Sequence, residues 1–175
     1  MSDSDDEWRI GGLQSLQSDS RSTAEVIETA LADAERKDDL PENYRAIAVP
    51  HARGTRDVLT AALALCGSPD PKRRALGAEI LRQLGPPERT FREECCDALL
   101  DLVRHDHDRQ VLIAAVFAFG RLDNRRCEAD LIALRHHTDE HIRHGVAFAL
   151  CGTEEPASVQ ALLQLMEDPY ARVRD

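Results

Sequence analysis

The amino-acid sequence predicts an all-α protein: a right-handed α-solenoid of about four short helix pairs, the last unit incomplete. Three observations carry that expectation. Apolar residues recur at helical spacing in short segments, and no segment alternates with period two long enough to make a strand. The segments are separated by Gly, Pro and Asp turns, and one pattern of turn, anchor and apolar pair returns with a period in the thirties. Apolar residues make up 42% of the 175 but aromatics only 4%, so the core must be built from Leu, Ala, Val and Ile. That mixture suits closely spaced helices better than a β-sandwich.

Taken in order, residues 1–23 are rich in Ser, Asp, Gln and Gly without a sustained period, and read as a disordered acidic leader. Trp8, Ile10, Leu13 and Leu16 offer a short docking motif within it as the alternative to a solvated tail. Thr23 caps an amphipathic N-terminal helix within residues 24–40, with Val26, Ile27, Ala30, Leu31 and Ala34 on one face. The repeat domain occupies residues 41–175. ENYRAIAVPHARG predicts a helix weakened or kinked at Pro50. TRDVLTAALALCG, KRRALGAEILRQLG, FREECCDALLDLVRH, DRQVLIAAVFAFGRL, CEADLIALRH, DEHIRHGVAFALCG and EEPASVQALLQLMED follow as further helices between turns.

Aligned on their starts, DPKRRALGAEIL, DRQVLIAAVFAF and DEHIRHGVAFAL show the repeat. A turn Asp (Asp70, Asp108, Asp139) stands three residues before an anchor (Arg73, Val111, Ile142). The pairs Ile80-Leu81, Ala118-Phe119 and Ala149-Leu150 follow. The anchors are 38 and 31 residues apart, and Val173, 31 further on, continues the register. Each turn Asp is positioned to cap the orphan N–H groups of the next helix. Gly77, Ala114, Ala115, Gly145 and Ala147 are small enough to let helices approach closely. The final DPYARVRD reads as the start of a further first helix, and a solenoid end without a polar cap predicts self-association through Leu162, Leu165 or Met166.

SPDPKRRALGAEILRQLG, HHTDEHIRHGVAFALCG and DPYARVRD resemble HEAT repeats, in particular the short bacterial kind grouped with phycobilisome-lyase-type repeats. The resemblance covers about residues 41–175. Arg73 at an anchor, Pro50 inside a helix and Thr138 at the usual turn proline depart from the pattern. The resemblance implies that the second helix of each pair lines a concave surface and that this surface binds another protein.

Charge and chemistry narrow the function classes. The net charge is −10, and residues 1–40 hold 11 acidic against 4 basic residues, so the acidity belongs mostly to the leader. Neither part has the basic excess of a general nucleic-acid binder. No apolar run reaches the roughly 20 residues needed to span a bilayer, and the acidic N-terminus is unlike a signal peptide. The chain therefore reads as soluble and cytoplasmic, without a membrane or nucleic-acid partner. Cys66, Cys95, Cys96, Cys127 and Cys151 are odd in number and lack CxxC spacing, and most read as small buried packing residues. There is no phosphate loop, nucleophile elbow or HExxH. His136, His137, His141 and His144 lie within nine residues, and His137, His141 and His144 share one face of a continuous helix. Three imidazoles so placed are weak candidate metal ligands. A cap at Asp139 instead leaves His137 in the preceding turn. The recurring His-Glu dipeptides of the di-iron deoxyhypusine hydroxylases, built from similar repeats, are absent.

The reading that follows is a non-enzymatic protein-binding scaffold, with no cofactor and no catalytic residue. With Leu99, Leu102, Leu131, Leu134, Leu162 and Met166 on the core side, Glu93, Asp97, Asp101, Asp130, Gln160 and Gln164 point outward on what read as second helices. Such an acidic-leaning ridge fits a partner with a basic or mixed surface. The alternatives are a metal-dependent enzyme or enzyme subunit at the histidine cluster and, behind it, a nucleic-acid-binding relative.

Overall fold

The computed structural model describes residues 12–35, 44–86, 88–122 and 125–174, and among them there are helices and turns but no strand. In chain order the helices are α1 (residues 12–17), α2 (Thr23–Glu35), α3 (Tyr44–Arg53), α4 (Arg56–Cys66), α5 (Pro71–Leu81) and α6 (Arg92–His105). Then come α7 (Arg109–Leu122), α8 (Glu128–Ala133), α9 (Glu140–Leu150), α10 (Pro156–Leu165) and the single turn α11 (Ala171–Arg174). Short 3₁₀ turns flank α8.

The elements stack in two layers, as the solenoid expectation requires. Helices α3, α5, α7, α9 and α11 follow one another in one layer; α2, α4, α6, α8 and α10 form the other. Packing is much more extensive along α5, α7 and α9 than along α4, α6 and α8, so the first is the inner layer toward which the stack curves. Leu59, Ile80, Leu81, Leu99, Leu122, Leu131 and Leu150 are fully buried between the layers. At the anchors, Val111, Ile142 and Val173 are buried, whereas Arg73 is half-exposed and faces Glu28 at 3.8 Å.

Helix order within the pairs is the reverse of the sequence expectation. The tight turns that carry the Asp residues join α4 to α5, α6 to α7 and α8 to α9, so the Asp-capped helices are the second helices of their hairpins. The segment Ala171–Arg174 accordingly lies in the inner layer, where it packs on α9. The glycines Gly54 (φ 54°) and Gly85 (φ 71°) meet where the α3–α4 turn crosses the long α5–α6 loop. A Cβ on Gly54 would lie 2.5 Å from Gly85 Cα, and this crossing accommodates the extra residues of the first, longer spacing.

Capping behaves as the turn chemistry dictates. Asp70 accepts from Lys72 N–H at 2.9 Å, Asp108 from Gln110 at 2.9 Å and Val111 at 3.2 Å, and Asp139 from His141 at 2.8 Å. At α2, Ser22 rather than Thr23 is the cap. Ser22 Oγ accepts from Glu25 N–H at 3.3 Å while the Glu25 carboxylate accepts from Ser22 N–H at 2.7 Å, a capping box. Thr23 instead bonds Asp57 on α4. Helix α3 continues through Pro50, whose carbonyl accepts from Gly54 N–H.

The leader is corrected in part. Residues 12–17 are helical, and Asp19 accepts from Arg21 and from Arg53 of α3 (3.2 Å), which also donates to the Asp19 and Arg21 carbonyls. Residues 1–11, with Trp8 and Ile10, and residues 36–43 lie outside the described residues. Two smaller corrections concern faces: Ala34 is exposed at the solvent edge of α2, and Met166 is 62% exposed just past the end of α10, where the chain turns toward α11.

A ladder of arginines ties successive turns together. Arg74 donates to both Asp106 oxygens (2.6 and 3.1 Å) and to the Ser68 and Pro69 carbonyls of its own turn. Arg143 repeats this with Asp168 (2.6 and 3.0 Å) and the carbonyls of His137 and Thr138. Asp168 also accepts from Tyr170 N–H, as Asp106 does from Asp108 N–H. At the intervening step Leu112 stands where the arginine would, and the site of the aspartate is His137, whose Nδ1 accepts from Asp139 N–H.

Candidate partner-binding surfaces

The predicted ridge lies on the outer layer, on the first helices of their pairs. Glu93, Asp97 and Asp101 occupy α6, Asp130 α8, and Gln160 and Gln164 α10. All are exposed except Asp130, which is half-buried. Helical periodicity explains this: Leu99, Leu102 and Leu131 take the core side, while Leu134 and Leu162 are partly buried.

The structure adds what periodicity cannot give, the cations that lace the ridge. Arg126 bridges Glu93 (2.7 Å) and Asp97 (3.1 Å). Arg104 reaches Asp130 with both ends of its guanidinium, and those bonds hold the Asp130 carboxyl below its usual range. Arg135 donates to Gln164 at 2.9 Å, and His105 faces Asp101 at 2.9 Å. The ridge is a mesh of alternating charge rather than a block of bare carboxylate.

Charge is sorted between the layers. Outer helices carry Glu25, Glu28 and Asp33 on α2, Asp57 on α4, Glu93, Glu94, Asp97 and Asp101 on α6, and Glu128 and Asp130 on α8, against Arg56, Arg92 and Arg104. Inner helices carry Arg53 on α3, Lys72, Arg73 and Arg74 on α5, Arg109 and Arg121 on α7, Arg143 on α9, and Arg172 and Arg174 on α11, against Glu79 and Glu140. Sequence reasoning missed the inner face because helix order was inverted. Its residues stand at matched register, Phe117 and Phe148 each six after their anchors.

On that face two aromatic rings are seated by two glycines. The Phe148 ring lies where a Cβ on Gly120 would sit, and a Cβ on Gly145 would come within 3.2 Å of the Phe117 ring. The two rings are 5.6 Å apart, and His144 meets Phe117 edge-on at 5.2 Å. The Arg121 guanidinium lies 5.7 Å from the Phe148 ring, within cation–π range. Burial, with the charge of Arg172, holds the His144 imidazole below its usual value, so it stays neutral near pH 7.

The histidines predicted as metal candidates do not converge. His137 is the turn cap described above, and His144 is in the aromatic cluster. Among the described residues, the one group with metal-ligand spacing is Asp139, Glu140 and His141. There Arg109 pairs with Asp139 and donates to His141 Nδ1 at 3.0 Å, so a cation already holds the carboxylate and the imidazole lone pair. His136 and His137 line an open groove of about 570 Å³ with Arg143, Gln164 and Tyr170.

Most of the cysteines pack as expected, Cys95, Cys96 and Cys127 being buried and Cys66 half-buried, whereas Cys151 is exposed. Burial pushes the thiols of Cys66, Cys95 and Cys127 up to about 12, which removes thiolate chemistry at neutral pH. No helix among the described residues is long and apolar enough to cross a membrane.

A comparison with curated proteins finds no match. Residues 96–175, from within α6 to the end of the chain, match the family of HEAT repeats. Asp-capped hairpins stacked in two layers are the architecture those repeats describe, and this chain carries HEAT repeats over residues 96–175.

Proposed function

We propose that this protein is a non-enzymatic scaffold that binds another protein along the outer ridge of Glu93, Asp97, Asp101, Asp130, Gln160 and Gln164. HEAT repeats generally mediate contacts between proteins. The observation that carries the reading here is the charge mesh. Side chains of both signs stand exposed along successive parallel helices of a rigid stack, spaced by the repeat. A partner with a basic or mixed surface can exchange its own cations for Arg126 and Arg104 without stripping a carboxylate of all its partners. Binding of this kind is fast and salt-sensitive.

The test is affinity capture from the native cell extract with the wild-type chain and with Asp97→Lys/Asp101→Lys, both shown to be folded by circular dichroism. The reading expects a protein that is recovered near one-to-one by the wild type, lost with the charge-reversed variant and weakened by salt. Equal recovery by both forms would remove the ridge from the interface.

A further inference from the structure

Opposite the ridge, the inner face carries a built aromatic and cationic cluster that the ridge reading does not use. Phe117 and Phe148 are fixed by the glycine notches at Gly145 and Gly120, so the rings cannot fold away into α7 or α9. Phe148 keeps 37% of its surface in solvent. Arg121 beside it and Arg172 near His144 are exposed, and neither pairs with a carboxylate among the described residues. Rigid rings flanked by guanidiniums without counter-ions are complementary to one kind of ligand: an acidic chain with an apolar anchor.

We propose that the inner face of α7, α9 and α11 binds an acidic segment of a partner protein that places an aromatic or large aliphatic side chain against Phe117 and Phe148. The carboxylates flanking that anchor meet Arg121 and Arg172. A protein segment fits better than a nucleic acid. Two unpaired guanidiniums around an apolar seat suit a few carboxylates flanking one apolar side chain, whereas a nucleic acid gains its affinity from many neutralised phosphates. The inference extends the scaffold reading to a second surface and rests on it only in that both bind protein.

The test uses the full chain and three fluorescein-labelled probes at low salt, read by anisotropy. They are a short polyglutamate peptide with one central phenylalanine, the same peptide without it, and an oligothymidylate of matched length. The phenylalanine peptide is expected to bind, and removal of its ring to weaken binding about threefold to tenfold. Phe148→Ala and Arg121→Gln are each expected to weaken it by a similar factor. Arg121 is exposed, so its variant reports even where Phe148→Ala perturbs packing. The ridge variant Asp97→Lys/Asp101→Lys is expected to bind this probe as the wild type does, which separates failure here from failure of the ridge. No binding of the phenylalanine peptide, binding indifferent to Phe148 and Arg121, or tighter binding of the oligothymidylate would each overturn the proposal.

Discussion

Replacing Arg143 by Met tests the turn ladder where it is most buried. Only 10% of the Arg143 side chain and 7% of Asp168 remain exposed. The substitution keeps the aliphatic stem but removes two bonds to Asp168, two to the turn carbonyls of His137 and Thr138, and the contact with the Tyr170 ring at 5.4 Å. What dominates is the Asp168 carboxylate left without its counter-ion, a loss of about 3 kcal/mol for a buried pair. With a urea slope of about 2 kcal/mol per M, the unfolding midpoint falls by roughly 1.5 M. Adding Asp168→Asn recovers part of the loss, because a neutral amide oxygen still accepts from Tyr170 N–H. The pH dependence has a definite sign. The bonds from Arg143 hold the Asp168 carboxyl below its ordinary value, so the pair's contribution is full above about pH 4 and disappears as pH falls through the lower folded value. The gap between wild type and variant therefore closes on acidification. A variant within about 1 kcal/mol of wild type at pH 7, or a double variant no more stable than the single one, would refute the ladder as a stabilising device.

Three further outcomes follow from the same packing. Gly77→Ala places a Cβ 2.9 Å from the Ala62 carbonyl and 2.7 Å from Cys66 Sγ; overpacking of about 1–3 kcal/mol outweighs the gain of about 1 kcal/mol in helix propensity, which thermal unfolding measures. A thiol reagent titrates Cys151 promptly in the native state, and Cys95, Cys96 and Cys127 only in denaturant. His51, buried with Nε2 2.8 Å from the Glu79 carbonyl, titrates near 4 by NMR because burial disfavours its charged form. Since the unfolded imidazole binds its proton near 6.5, His51 makes stability rise with pH between about 4 and 6.5.

Local features of the fold were legible and non-local ones were not. Asp70, Asp108 and Asp139 announce helix starts because a cap bonds backbone two or three residues away. Val111, Ile142 and Val173 announce the repeat because a buried anchor recurs at each unit. Helix order within a pair depends on which neighbours pack, and the apolar stripes of α6 and α7 are alike on that point. The Arg74–Asp106 and Arg143–Asp168 links join residues 32 and 25 apart, where neither periodicity nor capping gives a signal. The same limit applies to the surfaces. Exposure of Glu93, Asp97 and Asp101 follows from helical period, but Arg126 reaches Glu93 and Asp97 from the next unit. Phe148 looks like core in the sequence GVAFAL, and only its seat against Gly120 leaves it partly in solvent.

The central claim is that this stack is a protein-binding scaffold whose outer ridge meets a basic or mixed surface. Zero-length carbodiimide crosslinking in native extract addresses it directly, since the reagent joins a carboxylate only to an amine in contact with it. The claim predicts crosslinked peptides joining Glu93, Asp97 or Asp101 to lysines of one recurring partner, and their loss in Asp97→Lys/Asp101→Lys. Crosslinks confined to acids elsewhere, such as Glu28 and Asp33 of α2, or crosslinks that survive the substitution at Glu93, would contradict it.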